Sequence, residues 1–201
     1  MKFEYVASIN DCKKFDKFRT TGEICFLGRS NAGKSSLLNA ITGQKLAFIS
    51  KTPGKTVSIN LYKSGNFTLA DTPGYGYATG KAAGMAGDWT DLMQEYSSKR
   101  ENLKMAYVLI DCRRGLLEID IEVILLLEES GLEYTIVYTK LDKISANEEA
   151  QLRQNDLLLL KNFKLTRLYL PQAGFIATSS TKRVGVKNLL SHARGVLKYQ
   201  Q

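Results

Sequence analysis

Short apolar or β-branched runs alternate along this chain with longer stretches of helical periodicity. Glu23 to Leu27, Val57 to Tyr62, Thr68 to Ala70, Met105 to Asp111, Tyr134 to Tyr138 and Gly174 to Ala177 have the length and side-chain types of strands. Between them, Lys34 to Thr42, Asp88 to Arg100, Leu116 to Glu129, Ala146 to Lys161 and Val186 to Tyr199 repeat their apolar positions at the spacing of a helix face. Strands and helices in this alternation predict an α/β fold with a mostly parallel central sheet of about six strands and helices on both faces.

Two segments fit neither pattern. Gly43 to Thr56 has no clear period, and Gly74 to Gly87 holds Gly74, Gly76, Gly80, Gly84 and Gly87, a composition that makes a poor helix or strand and a good loop. Loops of that length in a compact domain usually carry function. No repeat or low-complexity linker divides the chain, and only Pro53, Pro73 and Pro171 occur in it. Residues 1–201 are therefore expected to form one domain, with 1–22 as a short N-terminal extension.

Composition narrows the class. With 201 residues, 44% of them hydrophobic, the chain can bury a substantial core. Cys12, Cys25 and Cys112 form neither an even set nor a metal-ligand spacing, which favours reduced thiols. The charged N-terminus lacks a signal-peptide core, and no apolar run approaches the roughly 20 residues that span a bilayer. A cytoplasmic protein without membrane insertion is expected. The net charge of +8 is uneven: residues 157–201 contain eight Lys or Arg and no Asp or Glu, whereas 116–133 contain six Asp or Glu and no Lys or Arg. That asymmetry suggests an anionic polymer as partner on the basic side.

The strongest local signal is Gly28-Arg29-Ser30-Asn31-Ala32-Gly33-Lys34-Ser35, followed by Ser36. It satisfies the phosphate-loop pattern and stands between a predicted strand and a predicted helix, the context that pattern requires. Backbone N–H groups at such a helix start wrap phosphates, Lys34 supplies a point charge to the terminal ones, and the Ser35 hydroxyl suits magnesium. Asp71-Thr72-Pro73-Gly74 ends another strand, where the carboxylate can hold magnesium through water and the Gly74 N–H can meet a γ-phosphate. Thr139-Lys140-Leu141-Asp142 follows a third strand, and its aspartate can accept two hydrogen bonds from the N–H groups of guanine, an arrangement that adenine does not offer. After the last strand come Thr178, Ser179 and Ser180, in a loop where a backbone N–H can read the guanine carbonyl. Singly, the later motifs are weak; their order, each at a strand end, selects GTP over ATP.

Thr56 completes the set, with Gly54 and Lys55 beside it as nucleotide contacts: it closes the first irregular segment and is expected to join the magnesium shell only when a γ-phosphate is present. Lys34, Thr56 and Gly74 are then the catalytic candidates, and Ser35 and Thr56, with Asp71 through water, the metal set. Release of Thr56 and Gly74 on loss of the γ-phosphate would relax two loops together. Tyr75 occupies the position after Gly74 where some GTPases carry a water-orienting glutamine, so slow hydrolysis is expected. Asn31 is a candidate ligand for a potassium ion beside the phosphates. His192, the pair Trp89 and Tyr96, and Cys25 read as packing residues.

Taken together, Gly28 to Asn39, Ser50-Lys-Thr-Pro-Gly-Lys-Thr56, Asp71-Thr-Pro-Gly-Tyr-Gly-Tyr77, Asp111-Cys-Arg-Arg-Gly115 and Thr139-Lys-Leu-Asp142 resemble the EngB/YsxC family of ribosome-biogenesis GTP-binding proteins, in the TrmE/Era-like superfamily. The likeness runs from about Phe3 to about Lys198. It implies a GTPase switch in late assembly of the large ribosomal subunit, with magnesium and GTP or GDP, ribosomal RNA and proteins as partners, and a monomer when free. It also implies nucleotide contacts at Asn31, Gly33, Lys34, Ser35, Ser36, Thr56, Asp71, Gly74, Thr139, Lys140, Asp142, Ser179 and Ser180. Thr178 departs from the family, which more often has an aromatic there. Other readings are a GTPase module in RNA modification, as in MnmE-like proteins that carry extra domains, a role in cell division such as septation, and a P-loop nucleotide kinase, which would lack Thr139 to Asp142.

Overall fold

A computed structural model of the chain describes residues 2–10, 18, 20–47, 58–76, 83–172 and 174–199, with the backbone alone for 83–88 and 199. The strands are β1 (Glu4–Ile9), β2 (Glu23–Gly28), β3 (Ile59–Ser64), β4 (Phe67–Asp71), β5 (Leu103–Asp111), β6 (Tyr134–Thr139) and β7 (Ile176–Ala177). They form one sheet in the order β1-β3-β4-β2-β5-β6-β7. Neighbours from β4 through β7 run parallel, while β3 is antiparallel to both β1 and β4. The helices are α1 (Lys34–Thr42), α2 (Ala83–Lys99), α3 (Glu118–Ser130), α4 (Ala146–Leu160) and α5 (Val186–Tyr199).

Two expectations need correction. The sheet has seven strands rather than about six, because part of the supposed extension 1–22 is the edge strand β1. Val6 is an extra residue there: Tyr5 pairs with Tyr62 and Ala7 with Leu61, so a bulge carries the strand from one face of the sheet to the other. Phe3 consequently packs with the layer of α1 and α5, and Ala7 and Ile9 with the opposite layer. That change of face hides the alternation in the sequence. The second correction concerns Gly74 to Gly87: α2 begins at Ala83 and contains Gly84 and Gly87. Ala83, Met85 and Ala86 are good helix formers, and a glycine costs a helix only about 1 kcal/mol.

The sheet separates two buried layers. On one side Leu37, Leu38 and Ile41 of α1 and Leu189 and Ala193 of α5 pack on Ile24, Phe26, Tyr107 and Leu109. On the other, Met93 and Tyr96 of α2, Ile124 and Leu127 of α3 and Leu160 of α4 cover Cys25, Leu27, Val108 and Ile136. Half-buried His192 meets Tyr107 at 2.6 Å, in a packing role.

One buried ion pair fixes how α2 leaves the sheet. The Glu23 carboxylate, wholly buried at the start of β2, accepts from Arg100 Nη2 at 2.9 Å, from Thr20 Oγ1 at 2.9 Å and from the Tyr96 hydroxyl. A buried carboxylate is tolerated when charge and hydrogen bonds are matched this fully. The C-terminal end of α2 is thereby fastened to the central strand, while its other end leads back towards the Asp71 turn.

Candidate nucleotide site

Register brings the motif-bearing strands to one edge. Phe26 pairs with Asp71, Gly28 with Leu109, Asp111 with Thr139 and Tyr138 with Ala177, so β2, β4, β5, β6 and β7 all end together. The loops that follow them form the crevice in which open α/β sheets bind ligands.

At the end of β2 the chain turns through Asn31 and Gly33, both with left-handed backbone, at φ 66° and 99°, before α1 begins. Alternation of this kind turns successive N–H groups inward as an anion nest. Among the described residues, none of the N–H groups of Asn31, Gly33, Lys34 or Ser35 is bonded to a backbone carbonyl. These donors, at the positive end of a helix, are what phosphates require. Lys34 is buried and donates from Nζ to the Gly28 carbonyl at 2.9 Å. Burial lowers its pKa, and nearby Asp71 works in the opposite direction.

The Asp71–Gly74 turn lies against this loop. Thr72 Oγ1 donates to Phe26 O at 2.7 Å, Tyr75 N to Gly28 O at 3.4 Å, and Ser30 N to Tyr75 O at 3.0 Å. A Cβ on Gly74 would meet the Ser30 backbone at 3.1 Å, so any larger residue would crowd the two loops where they approach this closely. The Tyr75 side chain turns inward and donates to Asp120 Oδ1 of α3 at 2.8 Å, where Arg29 Nε also sits at 3.3 Å. Trp89 Nε1 donates to the Pro73 carbonyl at 3.0 Å and its ring packs edge-on against Tyr75 at 5.4 Å.

On the base side, Thr139 Oγ1 donates to Ala32 O at 2.5 Å, and Lys140 Nζ donates to Asn31 O at 2.7 Å and to Asp111 Oδ2 at 2.9 Å. Thr139 and Lys140 therefore hold the phosphate loop in place. Ser179 Oγ donates to Asp142 Oδ1 at 2.6 Å, and this bond, with that from the neighbouring lysine, keeps the Asp142 carboxyl below the usual carboxylate range. Thr178 ties the same two loops: its N–H and hydroxyl donate to Tyr138 O at 2.7 and 2.8 Å, and its carbonyl accepts Leu141 N at 3.0 Å. Ser179 N already bonds Val184 O at 3.0 Å, whereas the Ser180 N–H is bonded to no backbone carbonyl among the described residues.

An aspartate oriented by a serine 37 positions away, beside a phosphate nest, is a guanine-nucleotide arrangement, and comparison with known proteins agrees. Residues 23–140 match the family model described as 50S ribosome-binding GTPase. The chain is 42% identical over 188 residues to the probable GTP-binding protein EngB of Mycoplasmopsis synoviae, covering 90% of this chain and 92% of that protein. It is 39% identical over 171 residues to that of Aquifex aeolicus, covering 84% and 87%. The chain belongs to the EngB family of P-loop GTPases. A crystal structure of a probable GTP-binding protein EngB superimposes with TM-score 0.69 at 25% identity over 89% of this chain and all of that one. Era of Aquifex aeolicus bound to GDP and aluminium fluoride shares the fold, with TM-score 0.65 at 23% identity over 89% of this chain and 56% of its own.

As an EngB-type GTPase the chain binds GTP and GDP and hydrolyses GTP. Of the positions read from sequence, Gly28 to Ser36, Asp71 to Gly74, Thr139 to Asp142 and Thr178 to Ser180 converge on this edge, whereas Gly54, Lys55 and Thr56 lie outside the described residues. Sequence reasoning missed the anchors Asp111, Gly115 and Asp120, which hold Lys140, Arg29 and Tyr75, and only the Asp111-Cys-Arg-Arg-Gly115 run marked any of them.

A magnesium ion fits the residues present. The Asp71 carboxylate is buried and, among the described residues, makes no hydrogen bond or ion pair, and half-buried Ser35 stands at the start of α1. No group of three or more metal-ligating side chains occurs among the described residues. An ion held here by Ser35 and, through water, Asp71 would need phosphate oxygens for the rest of its shell, as magnesium commonly does. Burial pushes the Asp71 carboxyl up from 3.8 to about 6, with Lys34 pulling the other way. Because the folded value exceeds the unfolded one, ionised Asp71 opposes folding: stability falls as pH rises from about 4 to about 6 and stays reduced above that. Asp71→Asn should raise the stability of the nucleotide-free, metal-free protein at pH 7 by about 1–3 kcal/mol, an advantage that disappears below about pH 4. The same variant should lose the magnesium-dependent part of GDP affinity. Denaturant titration with and without EDTA measures both, and destabilisation at pH 7 would contradict this description of Asp71.

Proposed function

We propose that this GTPase is a two-state switch that assists late assembly of the bacterial large ribosomal subunit in the cytoplasm. The observation that carries the reading is the position of exposed basic residues at the guanine loop. Ser179 and Val184 bridge to close a short loop, Lys182 N bonds Ser179 Oγ at 3.0 Å, and Lys182, Arg183 and nearby Lys187 are exposed. The same serine orients Asp142. A phosphate-rich partner gripping this loop touches the element that reads the base, which couples partner binding to nucleotide state. The family description, 50S ribosome-binding GTPase, agrees with ribosomal RNA as that partner.

In the GTP state, Gly74 N–H and Thr56 would both engage the γ-phosphate end, with Lys34 leaving the Gly28 carbonyl for the phosphate oxygens. Magnesium would neutralise developing charge between the phosphates, held by Ser35 and Thr56 and, through water, by Asp71. Hydrolysis is slow in the isolated protein, because the Tyr75 hydroxyl is committed to Asp120 and offers nothing to an attacking water. The Asn31 carboxamide is exposed and makes no hydrogen bond among the described residues, which leaves its oxygen for a potassium ion beside the phosphates.

Two measurements follow. Large ribosomal subunits should sediment with the protein when a non-hydrolysable GTP analogue is bound and not with GDP, and binding should weaken steeply with salt, as phosphate contacts require. Charge reversal at Lys182, Arg183 and Lys187 together should abolish it; equal sedimentation in both nucleotide states, or by the reversed variant, would sink the reading. Separately, GTP turnover should be faster in potassium than in sodium buffer, and equal rates would remove Asn31 from that role.

A further inference from the structure

A cavity of about 290 Å³ opens beside the phosphate loop, between Ser30 and Asn31 on one side and the turn from Asp111 to Arg114 on the other. It adjoins the nucleotide cradle and shares Arg29 to Ala32 and Lys140 with it, but extends away from Gly33, Lys34, Ser35 and Asp142, none of which lines it, towards Asp111, Arg113 and Arg114. Four cationic side chains, Arg29, Arg113, Arg114 and Lys140, line it against one carboxylate, Asp111.

That carboxylate is already saturated. Arg113 chelates it through Nε at 2.9 Å and Nη2 at 2.6 Å, and Lys140 Nζ takes the same Oδ2 at 2.9 Å. Burial would raise the Asp111 pKa, but these bonds outweigh it and hold the group well below the usual range. Donors are left over on Arg29 and Arg114. Arg29 spends Nε on Asp120 at 3.3 Å and Nη2 on Gly115 O at 3.0 Å, while its buried Nη1 has no partner among the described residues. Arg114 is held at its backbone, N to Asp111 O at 2.9 Å, yet its exposed side chain makes no hydrogen bond or ion pair among the described residues. A buried donor without an acceptor is destabilising, and clustered cations in a concave, low-dielectric wall raise the local concentration of anions. Planar guanidinium forks match phosphate oxygens in pairs, which a single lysine cannot do.

We propose that this cavity is a second anion site that takes one phosphate group, with Arg114 as its principal ligand and Arg29 and Arg113 supporting it. The group is either inorganic phosphate or a phosphodiester of an RNA strand; both present the same tetrahedral oxygens. The site goes beyond the ribosomal reading and does not depend on it.

The test uses the full chain saturated with GDP and magnesium, with GDP affinity measured first so that a failure of nucleotide binding is seen separately. Inorganic phosphate is titrated in while the backbone amide resonances of Arg113, Arg114 and Gly115 are followed. Saturable shifts at these residues are expected, weakened at least tenfold in Arg114→Gln and partly restored in Arg114→Lys, with the amide spectrum reporting that each variant is folded. No saturable shift, or equal affinity in Arg114→Gln, would overturn the proposal, since phosphate would then occupy the γ-phosphate position of the cradle or nothing at all. A short RNA oligonucleotide added to the phosphate-bound protein distinguishes the sources. Displacement that itself requires Arg114 assigns the site to a phosphodiester, and failure to displace assigns it to the free ion.

Discussion

The carbonyl of Gly28 is where the two phosphate-sensing loops meet. It accepts Lys34 Nζ at 2.9 Å from the phosphate loop and Tyr75 N at 3.4 Å from the turn that carries Asp71 and Gly74. The geometry around it leaves little freedom, because Gly74 already lies against the Ser30 backbone. A terminal phosphate that draws Lys34 away removes one of the two bonds at this oxygen. Occupancy of the cradle would thus reach Tyr75 through a shared acceptor rather than across open space.

From Tyr75 the connection continues through buried polar groups. Its hydroxyl bonds Asp120, Arg29 meets the same carboxylate, and Arg29 also reaches Gly115 O, just before α3. Asp120 in turn accepts Leu117 N at 2.8 Å at the start of that helix. Such a cluster is costly unless its members are matched, which favours discrete arrangements over gradual drift. Helix α2 is held at its far end by Glu23 and Arg100, and near its start Trp89 touches both Pro73 and Tyr75. A displacement of the Asp71 turn would therefore act on α2 near its start, with its far end held by Glu23 and Arg100.

Much of this was legible in the sequence, because local rules and the tertiary structure agree. The bounds of α1 and α5 match their periodicity, and the phosphate loop, Thr139 to Asp142 and Ser179 fall where strand ends place them. What escaped has a common cause. The bulge at Val6 conceals an edge strand by shifting its alternation, and the Tyr75–Asp120 bond joins residues 45 apart that carry no motif together. Lys140, expected as a nucleotide contact, also pins the phosphate loop through Asn31 and Asp111, a pairing that depends on register between β5 and β6. Long-range polar pairing of this kind is set by topology and leaves no periodic trace.

Trp89 is the only tryptophan in the chain and sits on the joint that this account makes central. The most direct measurement is its fluorescence in the nucleotide-free, GDP-bound and GTP-analogue-bound protein. If the Asp71 turn reads the γ-phosphate and passes it to α2, the GTP analogue changes the emission of Trp89 relative to GDP, and Asp120→Asn diminishes that change while leaving both nucleotides bound. Identical emission in the GDP and GTP-analogue states, with both sites saturated, would contradict the coupling.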